Sequence, residues 1–526
     1  MPNSPITSSP DNLLSFFRKM SNQTNNTNTS INTQLSSQAI AWKRYMLKRE
    51  NSLPNWLIEK SMGFFFISLV ACWLALRHIP QYDLVLTAAI SIVLFFFVGR
   101  SMSNKFSLLG EKKFLRSVFT VGFVVRILWI LYMFFVFNPR YYGTRFGSTA
   151  DVEWYMGFGQ YLAEWISLNS TYTLAEIIDI NMSAIDDVAY PMILGVEYLL
   201  TGGISDVLIP YIVKSILGAC CAIYAYRITK RHFGEGAARI AAIFVCLNPN
   251  IIYWCGSMMK EADMVFFCCL AVDKFDEALS SNSQLTIKSL IPGILSGFVL
   301  LFMRTTLGLA LFGAVMVHVL MADKRIISIG KKIFIGVLVA IVLTITVGDQ
   351  LLNRSKGYLD NVRSGRQEQN MEWRSTREGG NNFAKYASAT VFAPLIFTIP
   401  FPTFNQANEA QLLQIQLSGG YFIKNILSFF VIIVLVQFLL TGEWRKHVLL
   451  IAYLCAYLLV LVFSGFAQSG RFHIPVWPML MIFAAYGVQF AKRDKRMRKW
   501  FMYTLYIEVF ICLAWNWFKL AGRGML

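Results

Sequence analysis

The sequence predicts an all-α membrane protein, a polytopic bundle of transmembrane helices, and three observations carry that prediction. Hydrophobic residues make up 56% of the 526 residues, charged residues make up only 15%, and the mean hydropathy is +0.50. Water-soluble domains are about 25% charged. Apolar blocks recur from Ser61 almost to the C-terminus, and roughly 20 apolar residues cross a bilayer as a helix. Neither a soluble enzyme with a single anchor nor a β-barrel fits this pattern.

The apolar blocks divide into about thirteen predicted spans. They are residues 61–79, 82–99, 114–137, 207–226, 240–254, 262–275, 290–303, 305–321, 333–347, 422–440, 448–463, 474–490 and 501–517. With a cytoplasmic N-terminus, most of the 48 Lys and Arg fall on cytoplasmic segments, as the positive-inside rule requires. The net charge of +18 is therefore a topology signal rather than a sign of nucleic-acid binding. We expect a multi-pass protein of the bacterial inner (plasma) membrane.

One stretch allows two topologies. Residues 290–321 could form a single span if residues 387–400 also cross the membrane. A single span of that length is long for a hydrocarbon core of about 30 Å, and it would place Arg304 in mid-membrane. We prefer a hairpin with Arg304 at its outer turn.

These spans predict five regions along the chain. Residues 1–60 form a polar cytoplasmic tail, and residues 61–99 form two extra N-terminal spans. Residues 100–347 form a core with a long outer loop at 138–206, whose piece 190–200 is too short to span and is expected along the interface. Residues 348–420 form an outer flap, and residues 421–526 the C-terminal spans. Within the flap, the Pro-rich run 393–404 predicts a re-entrant or interfacial segment.

The most informative motif is Asp151-Val-Glu153-Trp-Tyr155, which the topology places just after the third span on the outer face. Two carboxylates near the interface could accept a proton from a hydroxyl, or hold a divalent cation against a phosphate. The alternative is a solvated pair of loop acids. No nucleotide-binding glycine fingerprint and no metal-type spacing of His or Cys occurs, so no cofactor is predicted beyond that cation.

Three basic groups recur at predicted outer membrane boundaries. They are Lys260-Glu261, Arg304 and Arg471-Phe-His473. Ionisable residues at such depths are costly unless they are paired or functional, and Lys or Arg can neutralise a lipid-linked phosphate. Snorkelling explains any one of them, but three on one face with an acid pair favour a site. Asp186-Asp187 on the same side is a weaker candidate.

At this point the chain resembles the C-type (GT-C) membrane glycosyltransferases, the group with protein O-mannosyltransferase-like and aminoarabinose-transferase-like (family 39-like) enzymes. The resemblance runs from about Phe114 to Phe490. Its motifs, in order, are Val125-Arg126-Ile127, the acidic motif with Tyr155, Tyr190-Pro191, Tyr226-Arg227-Ile228-Thr229-Lys230, Leu247-Asn248-Pro249, Lys260-Glu261, Gly293-Ile294-Leu295-Ser296-Gly297 leading to Arg304-Thr305, and Gly470-Arg471-Phe472-His473-Ile474-Pro475.

The resemblance implies a GT-C-like core and transfer of a sugar from a polyprenyl-phosphate donor on the outer face to a lipid, glycan or protein acceptor. It makes Asp151 the expected base, with Glu153 as a second acid or metal ligand. Lys260, Arg304 and Arg471 become expected donor-phosphate ligands. Secondary candidates are Tyr155, Asp186, Asp187, Glu261 and His473. Two spans precede the family-like core, and the soluble domain of some relatives is absent.

Two other functions remain open on the sequence. A polysaccharide (O-antigen-type) polymerase also joins lipid-linked sugars on the outer face. The mechanism of such an enzyme usually depends on arginines rather than on an acid motif, and the candidates here are Arg363, Arg366 and Arg374. A lipid-linked-sugar transporter or flippase is the second. The sequence has no inverted repeat and no pair of broken helices in matching halves, which weighs against a transporter.

Overall fold

The computed structural model describes residues 29–77, 82–146, 150–167, 187–202, 208–280, 287–321, 366–377, 380–386, 389–405, 412–463 and 466–526, with residues 171, 173, 176, 177, 330, 336 and 337. Within these ranges every regular element is an α-, 3₁₀- or π-helix. The all-α prediction is confirmed. The chain divides into two compact units, residues 1–50 and residues 51–526.

The α-helices are numbered in chain order. They are α1 Thr29–Asn51, α2 Asn55–Leu76, α3 Tyr82–Val93, α4 Gly99–Phe106, α5 Glu111–Tyr132, α6 Asn138–Tyr142, α7 Ala150–Ile166, α8 Ala189–Leu199, α9 Ile209–Phe233, α10 Glu235–Leu247, α11 Pro249–Cys255, α12 Glu261–Ser280, α13 Ile287–Met303, α14 Thr305–Met321, α15 Arg366–Thr376, α16 Ala389–Phe392, α17 Leu412–Thr441, α18 Val448–Phe463, α19 Gly470–His473, α20 Trp477–Arg493 and α21 Lys495–Ala521. Single π-helical turns, Leu94–Val98 and Met133–Phe137, continue α3 and α5.

Eight described helical stretches are long and apolar enough to cross a membrane. They are Ile40–Leu76, Tyr82–Phe106, Glu111–Tyr142, Ile209–Phe233, Ile415–Thr441, Glu443–Phe463, Gly470–Arg493 and Lys495–Ala521. The bent pair Glu235–Leu247 and Pro249–Cys255 makes a ninth if it is one span, and α13 and α14 are shorter apolar helices. The predicted span at 333–347 lies almost entirely outside the described residues. The count of about thirteen therefore stays a prediction.

Helices α10 and α20 lie at the centre of the bundle. Every residue of α10 from Gly236 to Leu247 is buried, and most of α20 is buried as well. Helices that are apolar on all sides suit such a position. The peripheral helix α21 instead exposes large apolar side chains, including Tyr506 and Phe510, as a lipid-facing surface does.

The Asn248-Pro249 dipeptide explains the bend between α10 and α11. Proline cannot donate a backbone hydrogen bond and suits the first turn of a helix. The Asn248 side chain accepts hydrogen bonds from the backbone N–H groups of Asn250 and Ile251, each at 3.1 Å, and so caps α11. The two helices meet at 45°.

Residues 287–321 form two helices rather than one. Helix α13 ends at Met303, Arg304 lies at the break, and α14 begins at Thr305. The two helices pack against each other, so close that a Cβ on Gly308 would lie 2.8 Å from the backbone nitrogen of Leu301. Residues 287–321 therefore form a hairpin with Arg304 at its turn.

The Pro-rich run forms no spanning helix. Beyond the four-residue helix α16, the described residues up to Asn405 are turns and extended chain. Side chains of α17 and α21 satisfy its backbone: Ser428 donates to the Phe397 carbonyl at 2.5 Å, and Asn516 accepts from the Phe404 N–H at 2.7 Å. Protein groups therefore pair with this irregular backbone, and its re-entrant or interfacial position stays a prediction.

Candidate functional site

A cavity of about 520 Å³ opens at the end of the bundle where α6, α7, α11, α15, α17, α19 and α21 present residues to one space. Nine aromatic residues and five cations line it. All of the lining residues lie in the described ranges, and none of them is an Asp or Glu. The aromatic residues are Tyr142, Phe146, Tyr253, Trp254, Trp373, Phe401, Tyr421, Trp515 and Phe518, and the cations are Arg374, Arg377, Arg471, Lys519 and Arg523. Such a lining suits an anionic ligand that carries a ring.

Asp151 lies beside this cavity in the first turn of α7, next to the lining residue Val152. Helix α7 packs closely on α8 at two glycines. A Cβ on Gly159 would lie 2.9 Å from the Leu194 side chain, and a Cβ on Gly195 would lie 3.0 Å from the Leu162 side chain. A helix N-terminus also favours a carboxylate. The Asp151 side chain is 51% exposed and therefore accessible to a substrate.

Arg471 connects Asp151 to the cavity. Its NH1 group donates to Asp151 Oδ2 at 2.5 Å, and Arg471 itself lines the cavity. The preceding Gly470 lies against the ring of Tyr421, so that any Cβ there would collide with it. Pro475 follows in a 3₁₀ turn that leads into α20. The local sequence thus fixes the position from which the guanidinium extends.

Glu261 is the buried centre of the charged group. It has no exposed side-chain surface and accepts a hydrogen bond from Arg471 Nε. The Arg304 guanidinium lies 3.7 Å from the same carboxylate, donates to Tyr457 Oη at 3.2 Å, and stacks 4.2 Å from the Phe472 ring centre. We call Asp151, Glu261, Arg304 and Arg471 the charged cluster.

Lys260 lies next to the charged cluster, and its ammonium group is already paired. It forms an ion pair with Asp187 and donates to the Met303 carbonyl at 2.6 Å. Its Nζ lies 5.8 Å from the centre of the Tyr155 ring. Tyr155 is buried, and burial raises the pKa of its hydroxyl above the ordinary value. Tyr155 is thus a neutral packing group beside the cluster.

Two predicted site residues are not brought into the site. Glu153 is exposed and lines neither described cavity, because residues two apart on a helix do not share a face. His473 is buried and hydrogen-bonded through Nε2 to the Ala467 carbonyl at 2.7 Å, with Lys424 Nζ 3.4 Å from its Nδ1. Asp186 lies outside the described residues.

Asp151 and Glu153, which the sequence pairs around a divalent cation, lie two residues apart on α7 and therefore on different sides of the helix. A cation held by this pair stays a prediction. Among the residues that the structure describes, no group of three or more His, Cys, Asp or Glu is placed to hold a metal.

Sequence reasoning missed two cations at the C-terminal end of α21, Lys519 in its last turn and Arg523 in the turn that follows. Lys519 and Arg523 line the cavity together with Arg374 and Arg377 of the flap. A signal was present, because both cations directly follow the predicted span 501–517. Burial and the neighbouring Arg377 lower the pKa of both Arg374 and Arg523, so like charges are held close together here.

Comparison with solved structures finds oligosaccharyltransferases of low identity. The oligosaccharyltransferase AglB from Archaeoglobus fulgidus, in complex with an inhibitory peptide and a dolichol-phosphate, is 12% identical with a TM-score of 0.41 over 78% of this chain and 55% of that one. An Archaeoglobus fulgidus oligosaccharyltransferase in complex with Zn and sulfate is 12% identical, with a TM-score of 0.38 over 77% and 52%. The chain thus spans about half the length of each.

The sequence itself matches one family. No curated protein matches the chain, but residues 180–352 match the model of the Alg9-like mannosyltransferase family. Lys260, Glu261 and Arg304 fall within that segment. The resemblance to family 39 is not confirmed, whereas the broader prediction of a C-type glycosyltransferase is supported. Over residues 180–352 the chain is therefore similar to the Alg9-like mannosyltransferases, a match that indicates a glycosyltransferase.

Proposed function

We propose that the protein is an integral membrane glycosyltransferase that transfers a sugar from a polyprenyl-phosphate-linked donor to an acceptor hydroxyl on the outer face of the membrane. The family match supports glycosyl transfer. The cavity supports the donor class, because cations without an acid among its lining residues suit a phosphate, and aromatic rings suit a sugar and a prenyl chain.

Asp151 is the general base of this reaction. The acceptor oxygen attacks the anomeric carbon of the donor sugar, and Asp151 takes the hydroxyl proton as the new bond forms. The bond from the anomeric carbon to the phosphate oxygen breaks, and its electron pair leaves with the polyprenyl phosphate. Since Oδ2 of Asp151 contacts Arg471, Oδ1 is the atom that takes the proton.

The three predicted phosphate ligands divide into two roles. Arg471 lines the cavity next to Asp151, so it both orients the base and faces the leaving phosphate. Lys260 and Arg304 are buried and paired with Asp187 and Glu261. They act as positioning residues that hold α12 and the α13–α14 turn around the charged cluster.

The observation that carries this proposal is the shared position of Arg471, which contacts Asp151 at 2.5 Å and also lines the cavity. A base must lie within hydrogen-bond reach of the proton that it removes. Of the acids predicted from the sequence, Asp151 is half exposed beside the cavity, whereas Glu261 is fully buried.

The test is transfer by Asp151→Asn in membranes supplied with synthetic polyprenyl-phosphate sugars, mannose first because the matched family is named for it. Loss of a general base costs roughly 10² to 10⁴ in rate. Protein abundance should stay normal. Glu164→Gln, a change on the same helix at a side chain that lines neither cavity, is the matched control. Near-normal transfer by Asp151→Asn would remove Asp151 from the role, and loss in Asp187→Asn alone would move it there.

A polysaccharide polymerase is the second candidate, and one observation favours it. Arg374, one of the arginines on which that alternative rests, lines the cavity, while Arg363 lies outside the described residues. A polymerase of this kind would tolerate Asp151→Asn and lose activity in Arg374→Gln. The glycosyltransferase proposal expects the reverse order, with the larger loss at Asp151.

A further inference from the structure

Two buried polar side chains near the charged cluster have no part in the reaction described so far. Tyr190, from the Tyr190-Pro191 motif, lies in the first turn of α8 and has no exposed surface, and Lys214 of α9 is 1% exposed. Burial of a hydroxyl or an ammonium group costs hydration. Among the described residues no group forms a hydrogen bond with the Tyr190 hydroxyl. The contacts of Tyr190 are therefore made by its ring.

The Tyr190 ring contacts both a cation and a second ring. Lys214 Nζ lies 4.4 Å from the centre of the Tyr190 ring. The Tyr155 ring meets Tyr190 edge to face, with centroids 5.1 Å apart and planes at 89°, and Lys260 Nζ lies 5.8 Å from the Tyr155 ring centre. Cations over ring faces and T-shaped ring pairs are both attractive. We call Lys214, Tyr190, Tyr155 and Lys260 the cation–ring column.

Tyr155 connects the column to the helix that carries the base. It follows Asp151 by four residues in α7, and residues at that spacing are neighbours on one face of a helix. The Tyr155 hydroxyl interacts electrostatically with every member of the charged cluster. A displacement of the Tyr155 ring would therefore displace the first turn of α7, and Asp151 with it.

Lys214 connects the column to the start of α12. It forms an ion pair with Asp263 at 2.5 Å and donates to the Met259 carbonyl at 2.7 Å. Asp263 lies in the first turn of α12, and Met259 lies in the loop before it and lines the cavity. Lys260 and Glu261 lie between these two contacts in the sequence. Lys214 therefore holds, from both sides, the short stretch that places Glu261.

The charged cluster needs such a link between α7 and α12. Arg471 donates to Asp151 through NH1 and to Glu261 through Nε, so one guanidinium fixes the separation at which both contacts form. The Asp151 side chain is 51% exposed, and an ion pair with an exposed partner holds its helix only weakly. The cation–ring column joins the same two helices through buried side chains.

We propose that Tyr190 and Lys214 are positioning residues for the base, which hold α7 and α12 at the separation where one guanidinium contacts both Asp151 and Glu261. This inference rests on the proposed function, since it names further residues on which that reaction depends. Neither Tyr190 nor Lys214 lines a described cavity. Their effect on the reaction therefore passes through the position of Asp151.

The first test is turnover per folded protein in the transfer assay. Tyr190→Leu removes the ring, and a displacement of about 1 Å in an active site costs about a hundredfold in rate, so kcat should fall by about that factor while KM for the donor stays unchanged. Tyr190→Phe keeps the ring and should retain the wild-type kcat. A purely structural role would lower the amount of folded protein and leave the kcat of the folded fraction unchanged, which would overturn the inference.

The matched control is Tyr198→Leu. Tyr198 is a fully buried tyrosine of the same helix, and its hydroxyl likewise has no hydrogen-bond partner among the described residues. Its ring packs at Gly159, where a Cβ would lie 3.2 Å away, about two turns along α7 from Asp151. Tyr198→Leu should lower stability as Tyr190→Leu does and leave kcat unchanged. Equal losses of kcat in the two variants would overturn the inference.

Lys214 is tested without leaving a buried charge behind. Lys214→Met alone would strand the Asp263 carboxylate, which is 1% exposed, whereas Lys214→Met with Asp263→Asn replaces the ion pair by neutral groups. This double variant should lose kcat as Tyr190→Leu does. Adding Tyr190→Leu to it should cost little more, because both changes break one column. Losses that multiply in the triple variant would show two independent effects and overturn the inference.

Amide hydrogen exchange tests the column without turnover. Loss of a T-shaped ring contact corresponds to about a tenfold change in a local opening equilibrium. The amides of residues 154–157 in α7 should therefore exchange about tenfold faster in Tyr190→Leu than in wild type or Tyr190→Phe. Unchanged exchange would overturn the inference. If Asp151→Asn transfers normally while exchange is faster, the proposed function fails and the link between α7 and α12 stands.

Discussion

The link between Arg471 and Glu261 predicts a large and selective loss of stability. Glu261 is fully buried, and Arg471 is 23% exposed. Removing one partner of a buried ion pair typically costs about 3–5 kcal/mol, because the remaining charge is left without compensation. Arg304 at 3.7 Å and the neighbouring Lys260 are cations that remain. We therefore expect Arg471→Gln to lower the free energy of unfolding by an amount in that range.

The contact between Arg471 and Asp151 predicts a much smaller effect. The Asp151 side chain is 51% exposed, and ion pairs with exposed partners contribute about 0–1 kcal/mol. Asp151→Asn should therefore change stability by about 1 kcal/mol or less while it abolishes transfer. The two variants remove opposite partners of one ion pair, yet they should differ several-fold in stability.

The assay is reversible unfolding in mixed micelles, followed by tryptophan fluorescence. The double variant Arg471→Gln with Glu261→Gln should recover most of the lost stability, because a neutral pair replaces an orphaned charge. Transfer should not recover. If Arg471→Gln is as stable as Asp151→Asn, the burial argument for Glu261 is wrong, and the carboxylate does not depend on Arg471.

Three further outcomes are expected. Gly218→Ala should destabilise the fold by about 1–3 kcal/mol, since its Cβ would lie 2.6 Å from Arg126 Nε. A Cβ on Gly313 would meet nothing within 4 Å, so Gly313→Ala should leave stability unchanged. Equal effects of the two variants in an unfolding assay would contradict this prediction. Burial raises the pKa of Glu197 to about 8 from 4.5, so between these pH values the folded state holds a proton that the unfolded state releases. The free energy of unfolding should therefore fall as pH rises from about 4.5 to about 8. Glu197→Gln should flatten this pH dependence, and an unchanged slope in the variant would refute the prediction. Cysteine at Ala384, which lines the cavity, should react with an impermeant thiol reagent from outside and more slowly with bound substrate; labelling only after the membrane is opened would place the flap in the cytoplasm.

Local sequence patterns were sufficient for the helical architecture. The apolar blocks predict the helices, and Arg304 between two apolar runs predicts the hairpin turn. Three prolines between Ala393 and Phe404 predict irregular chain that must be paired inside protein, and the backbone of that segment is paired by α17 and α21. Each of these conclusions depends on residues that are neighbours in sequence.

The pairing of charges could not be predicted in the same way. Arg471 contacts Glu261 and Asp151 across 210 and 320 positions of sequence, so no local pattern shows that its charge is already neutralised. His473 was misleading because it lies two residues from Arg471, and residues at that spacing in a helix point to different sides. The two cations at the C-terminal end of α21 were missed because they approach the flap only in the folded bundle.

The hydrogen bonds of Asn516 also have a consequence for biogenesis. Asn516 pairs with the backbone of Phe404, 112 positions earlier, and accepts a further bond from Asn405. Residues 402–405 therefore leave the ribosome long before their partner exists. Until α21 is inserted by the translocation machinery, those amides need water or a chaperone as a temporary partner. Substitution of Asn516 by Leu should thus increase degradation of the newly made protein.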